Sequence, residues 1–314
     1  MQRAFINTLS SIVEDKANVL LLTADNGSDY DLVFQKLYPG RFLNCGIAEE
    51  NMMAVAAGMT IAGYIPFVES NGAFLAYRAY EFIRDDVCLQ NTNVKIAAFG
   101  CGLSIGRLGP THHATEDIAA LRVLPNLVIL SPATPNEASA CTKLAVAHEG
   151  PVYLRLGMSG EKEYFEQAPS LQIGGSIKLR DGCDAAIFVT GSILEEVLAA
   201  AEQLCTADIE CAVYDLYSVK PIDRNCIIRA MESCPVAVTV EEHSIFGGIG
   251  GAVAEVLAEV GFGKPLLRIG LHDCFASGYG VLSDIREKNG LDANSITQAI
   301  FGFLKQRKEI LCQR

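Results

Sequence analysis

Apolar residues at helical spacing open the chain. Phe5, Leu9, Ile12 and Val13 fall on one face of residues 2–14, and Glu14 and Asp15 follow at once. The stretch predicts an amphipathic helix, not a cleaved leader. Short continuous apolar runs then alternate with longer helical ones. Strands are predicted at Val19–Leu22, Arg41–Asn44, Tyr64–Val68, Val94–Ala98, Leu127–Leu130 and Val152–Arg155, with helices near 50–60, 74–88, 115–122 and 135–147. Uniformly apolar strands separated by helices imply a parallel sheet covered on both faces. The pattern pauses over residues 158–182, which are polar, Gly-containing and aperiodic, so the linker is placed around 160–175. A second alternating set follows. Its strands are Ala185–Val189, Cys211–Tyr214, Val236–Val240 and Leu266–Ile269, and its helices lie near 192–206, 249–260 and 294–306. The fold class read from this pattern is α/β. Two doubly wound, mostly parallel-sheet domains are expected, at residues 1–165 and 175–314, with no internal repeat.

Composition narrows the function. Half of the 314 residues are hydrophobic, enough for two ordinary cores, and no apolar run reaches membrane-spanning length. A net charge of −12 without a lysine or arginine cluster argues against a nucleic-acid groove. Eleven cysteines form no CxxC pair and read as reduced thiols of a cytoplasmic protein, not as a disulfide frame or a metal site.

Three segments of the first half carry candidate chemistry. Gly46–Thr60, GIAEENMMAVAAGMT, places Glu49 at the start of an apolar, small-residue helix; by itself such a carboxylate is an ordinary partner for the helix dipole. In residues 69–86, ESNGAFLAYRAYEFIRDD, Phe74, Tyr77 and Tyr80 recur every three residues, which on an α-helix puts them on one broad face. That face is either a core stripe or, because it follows a strand end, a stacking surface for a flat heterocycle. Residues 102–122 begin with a Gly- and Pro-rich loop ending in His112 and His113. Adjacent histidines diverge on a helix, so a proton-handling or hydrogen-bonding role is favoured over metal binding.

Taken together, the three segments resemble transketolase and related thiamine diphosphate enzymes in order and spacing. The likeness continues through PNLVILSPATPNE, GPVYLRLG, DLYSVKPID and VTVEEHSIFGGIGGAVAEVLAE, and so covers nearly the whole chain. It implies a pyrimidine-binding domain followed by a transketolase C-terminal domain. Glu49 would then be catalytic, bonding N1′ of the cofactor's aminopyrimidine as a buried acid that shares a proton with the ring. Phe74, Tyr77, Tyr80 and Asp25 would complete the cofactor site. His112, also catalytic, would face cofactor and substrate beside His113. Arg3, Ser28 and Arg155 match positions that hold the sugar phosphate.

The family grips Mg²⁺ and the cofactor diphosphate with a GDG sequence and a later Asn. This chain has neither: RDGCD at 180–184 lacks the trailing Asn, and GGIGG at 247–251 has Val253 where GxGxxG needs its last glycine. No metal ligands are expected here. A partner chain with the GDG motif is implied, in an α2β2 assembly acting on sugar phosphates. Leu108 and Gly100 stand where the family has an Asp and a His for the sugar, which implies a non-standard donor or acceptor. Other readings of the same sequence are the β subunit of a 2-oxo acid dehydrogenase, a synthase condensing pyruvate with a sugar phosphate, and a non-catalytic scaffold subunit.

Overall fold

The computed structural model describes residues 1–25, 28–158 and 160–312. Its strands form where the apolar runs lie. They are β1 (Val19–Thr23), β2 (Phe42–Asn44), β3 (Ile65–Asn71), β4 (Lys95–Phe99), β5 (Val128–Leu130), β6 (Val152–Arg155), β7 (Ile177–Arg180), β8 (Ala185–Val189), β9 (Cys211–Asp215), β10 (Ser218–Lys220), β11 (Ala237–Ser244) and β12 (Leu266–Leu271). One sheet runs β10-β5-β6-β4-β3-β1-β2 and the other β12-β11-β8-β9-β7. All pairings are parallel except β10–β5 and β7–β9, so each sheet carries an antiparallel edge strand.

Alternate residues of a strand point to opposite faces. In the first sheet Leu20, Leu22, Val68 and Ile96 pack under the helix Glu49–Ile61. Val19, Leu21, Phe67 and Ala97 pack on the other side, with the helices Gln2–Asp15 and Pro135–Ala147. The second sheet is covered on both faces in the same way. Residues 156–176 contain no helix or strand among those described.

Several elements depart from the sequence expectation, among them β7 and the helices Arg224–Ser233 and Leu282–Lys288, which have no predicted counterpart. The helix Asp29–Leu37 has no counterpart among the predicted elements; it buries only Asp31 and Phe34, too few positions to make an apolar stripe. The strand β10 lies beyond the linker yet joins the edge of the first sheet. The helical stretch after β3 is not uniformly α-helical, being π-wound over Phe74–Arg78 and again over Ile83–Leu89 around the short α-turn Tyr80–Phe82.

Polar contacts lock the two sheets together. Arg155, at the end of β6, donates from Nε to both oxygens of Asp117 (3.2 and 2.9 Å) and from Nη2 to the carbonyls of Ala114 and Glu242 (both 3.1 Å). Tyr153 adds a hydroxyl donor to Asp117 at 3.0 Å. Arg122 grips Glu255 with two nitrogens, at 2.8 and 2.6 Å. Glu137 and Asp215, both fully buried, face each other across the junction. No donor among the described residues reaches Oε1 of Glu137 or either oxygen of Asp215. One proton held between the two carboxyls would pair one oxygen of each. Burial raises both pKa values, and the neighbouring Glu137 raises that of Asp215 further.

These contacts can be tested by substitution. Asp117→Asn leaves the buried guanidinium without its counter-charge and is expected to cost about 3–5 kcal/mol of unfolding free energy. Urea titration checks it, and a loss below about 1 kcal/mol would contradict the assigned role. For the acid pair, a raised folded pKa means stability that is full below the ordinary carboxyl range and lost as pH rises through the folded values. Glu137→Gln supplies a permanent donor to Asp215. The variant is expected to gain stability relative to the parent as pH climbs from about 5 to 8, read from paired urea midpoints; parallel curves would remove the shared proton.

Candidate active site

A cavity of about 730 Å³ opens at the carboxyl ends of β1, β3 and β4. The chain leaves β1 toward β2 on one side and crosses back to β3 on the other, so the cavity lies at a switch in strand order. Its size suits a cofactor or a drug-sized ligand.

Glu49 begins the helix Glu49–Ile61 and is 1 % exposed, on the cavity wall. It is not the lone acid expected from the sequence. Ser70 donates to Oε1 at 3.3 Å, and Arg78 lies 2.5 Å from Oε2. The Arg78 guanidinium also sits 4.5 Å above the Phe74 ring. Arg78 is not among the candidates that the sequence offers, although it directly follows Tyr77 in the aromatic segment.

The three aromatics do not share a face. A π-turn is wider than an α-turn, so residues three apart diverge. Phe74 lies on the cavity wall. Tyr77 turns away and clasps Glu116, donating to Oε2 at 2.8 Å and accepting from the Glu116 N–H at 2.9 Å. Tyr80 packs against the core beneath. Neither Tyr77 nor Tyr80 lies on the cavity wall.

His112 is on the wall, its ring edge-on to Phe74 at 5.1 Å between centroids. Its Nδ1 pairs with the Thr111 hydroxyl at 2.9 Å, which leaves Nε2 for the cavity. Asn71 Nδ2 donates to the His112 carbonyl at 3.4 Å, tying this loop to the end of β3. His113 does not join it: it is 2 % exposed and off the wall, and burial lowers its pKa.

Asp25 and Ser28 both line the cavity. Asp25 adopts a left-handed φ of 58° and accepts from Asn44 Nδ2 at 2.9 Å. Ser28 caps the helix Asp29–Leu37 and accepts from Gln2 Nε2 at 3.1 Å. Gln2 also donates to Glu69 at 3.4 Å, and Glu69 meets Asp31, whose pKa burial raises.

Two expected phosphate ligands are elsewhere. Arg3 is exposed on the first helix, where the adjacent Gln2 is the residue that reaches the cavity. Arg155 is 4 % exposed, with Nε bonded to Asp117 and Nη2 to two carbonyls. An arginine fork suits a carboxylate as well as a phosphate, and only packing distinguishes the two.

The loop before the histidines is shaped by backbone. Gly100 has φ +70°, and a Cβ there would stand 2.2 Å from Ile105. Ile105 therefore fills the place where the family carries a histidine side chain, and Leu108 joins it on the wall.

The wall fits the pyrimidine end of thiamine diphosphate. It offers a buried carboxylate as acceptor, the Phe74 ring beside it and apolar Ile47. Among the described residues there is no group of three His, Cys, Asp or Glu able to hold a metal ion.

Residues 1–159 match the family described as "Transketolase, pyrimidine binding domain" and residues 174–296 match "Transketolase, C-terminal domain". The chain is 35% identical to one of the subunits of the apulose-4-phosphate transketolase of Actinobacillus succinogenes, over 91% of this chain and 92% of that protein. It is 36% identical to 1-deoxy-D-xylulose-5-phosphate synthase of Syntrophotalea carbinolica, over 96% of this chain but 47% of the synthase. A solved structure described as a split gene transketolase, an inactive beta4 tetramer, superposes with a TM-score of 0.88 at 37% identity, covering 97% of both chains. The chain belongs to the transketolase family.

Proposed function

We propose that this chain is the C-terminal subunit of a two-chain, thiamine diphosphate-dependent transketolase that moves a two-carbon ketol unit between sugar phosphates. The observation that carries the reading is Glu49, buried on the cavity wall beside Phe74 and His112, with no site for a metal-bound diphosphate among the described residues. A partner chain with the GDG motif supplies that site and its Mg²⁺, in an α2β2 assembly in the cytoplasm. The domain limits 1–165 and 175–314 belong to the same reading. They are supported by the irregular stretch at 156–176 and by the two separate sheets.

When bound, thiamine diphosphate supplies the electron sink that allows cleavage of the bond next to a ketone. Glu49 would hold the aminopyrimidine by sharing a proton with its N1′. Ser70 and Arg78 hold its carboxylate in one rotamer while it does so. His112, anchored through Nδ1, presents Nε2 to move a proton at a substrate oxygen. Phe74, Phe99, Ile105 and Leu108 keep water from the cavity. Gly100 and Leu108 remove two polar side chains from the sugar's path, which favours a sugar other than the common pentose and hexose phosphates. A split relative named for apulose 4-phosphate is in keeping with this.

One observation favours a second reading: the 36% identity to a synthase across 96% of this chain. Carbon dioxide release from pyruvate plus an aldose would select it.

The chain purified alone is expected to show no ketol transfer with cofactor and Mg²⁺, and to gain it on mixing with the GDG-bearing partner. Turnover by the isolated chain would refute the split arrangement. Glu49→Gln in the assembled enzyme is expected to lower kcat by about 10²–10⁴ without dissolving the assembly, as read by coupled ketose assay and sedimentation. Unchanged kcat would make the subunit a scaffold.

A further inference from the structure

We infer that Tyr279, in the second domain, is a positioning residue for His112: its ring seats the glycine turn from which the histidine loop rises. This rests on the role given to His112 above.

Every described residue on the cavity wall lies between Gln2 and Met158, so none of them comes from the second domain. That domain nevertheless underlies the loop that runs from β4 to His112. Leu103 is fully buried in the second domain's apolar core. A Cβ on Gly102 would stand 2.6 Å from Oε2 of Glu242, a carboxylate held by Arg286 and Ser192. Gly106 accepts at its carbonyl from the Gly280 N–H, at 3.1 Å. Gly109, at φ +71°, lies under Tyr279, where a Cβ would come within 2.8 Å of three ring atoms. Only glycine lets a backbone approach a ring this closely at a left-handed φ.

These contacts lead directly to the site. The Gly109 carbonyl accepts from the His112 N–H at 2.9 Å. Ile105 and Leu108, spaced among the seated glycines, line the cavity together with His112. The supporting segment, which joins β12 to the helix Leu282–Lys288, is itself braced. Asn289 accepts from the Ser277 N–H at 2.9 Å and donates to the Ser277 carbonyl at 3.1 Å, and Ala276 is buried in the second core. Tyr279 is 67 % exposed, so it adds little to that core. What it covers is the turn before His112. Proton transfer is sensitive to displacements of about 1 Å, so a group that fixes this turn acts on the rate without touching a substrate.

The test uses the assembled two-chain enzyme with cofactor and Mg²⁺. The donor is the better of D-xylulose 5-phosphate and D-fructose 6-phosphate, and the acceptor is D-ribose 5-phosphate. In Tyr279→Ala, kcat and kcat/KM are expected to fall together by about tenfold to a hundredfold. Ring carbons make the contact, so Tyr279→Phe is expected to restore the rate. Hydrogen exchange of the full chain gives the second readout. Amides of residues 103–114 are expected to exchange about tenfold faster in Tyr279→Ala. A lost rate together with faster exchange supports the inference. Unchanged exchange overturns it, because a lost rate would then mark Tyr279 as a contact of substrate or partner chain. Faster exchange with the parent's kcat overturns it too. If neither donor reacts in the parent assembly, the proposed function fails instead, and exchange alone decides the positioning role.

Discussion

The buried pair of Asp117 and Arg155 ties together the parts on which the site depends. Asp117 opens a short helix just after the histidine loop, and Arg155 ends the strand beside it. The guanidinium spans that carboxylate, the Ala114 carbonyl of the loop and the Glu242 carbonyl of the second domain. Burying such charges is costly unless every group is met. Here Nε and Nη2 make four contacts between them, and Tyr153 is a further donor to Asp117. The loop that presents His112 is thereby held at its far end, while Asn71 and the Tyr77–Glu116 clasp hold its near side. His112 reaches the edge of Phe74 because these anchors come from separate elements around it.

The chain is acidic, and several carboxylates lie inside it, each compensated differently. Glu49 has a guanidinium and a hydroxyl. Glu241 accepts from the first N–H groups of the helix Ile249–Val260, at 2.8 and 2.9 Å, and so serves the helix end. Glu242 pairs with Arg286 at 2.7 Å and accepts from Ser192. Glu137 and Asp215 face each other, and burial raises the pKa of both.

Much of the fold is legible in the sequence. The predicted strands form within a few residues of their runs because a fully covered strand must be apolar at every position. What escapes has weak local signals. The helix Asp29–Leu37 buries two side chains, and β10 is three residues whose partner lies across the linker. The segment after β3 is legible as helical but not as π-wound, since winding answers to the packing of Phe74 and Tyr80 against different neighbours. Of the candidate residues, Glu49, Phe74, His112, Asp25 and Ser28 converge on one cavity. Tyr77, Tyr80, His113, Arg3 and Arg155 do not.

By itself the sequence determined the two α/β layers, the family and the helix-start carboxylate, because these follow from apolar periodicity and from motifs contiguous along the chain. Tertiary structure alone decided which charges face the cavity. Asp117 and Arg155 are 38 residues apart, and Arg155 and Glu242 are 87 apart. A side chain's partner is whichever group folding brings within about 3 Å. Arg155, which reads as a phosphate ligand, thus becomes a strut, and Gln2, the uncharged neighbour of Arg3, becomes the residue at the wall.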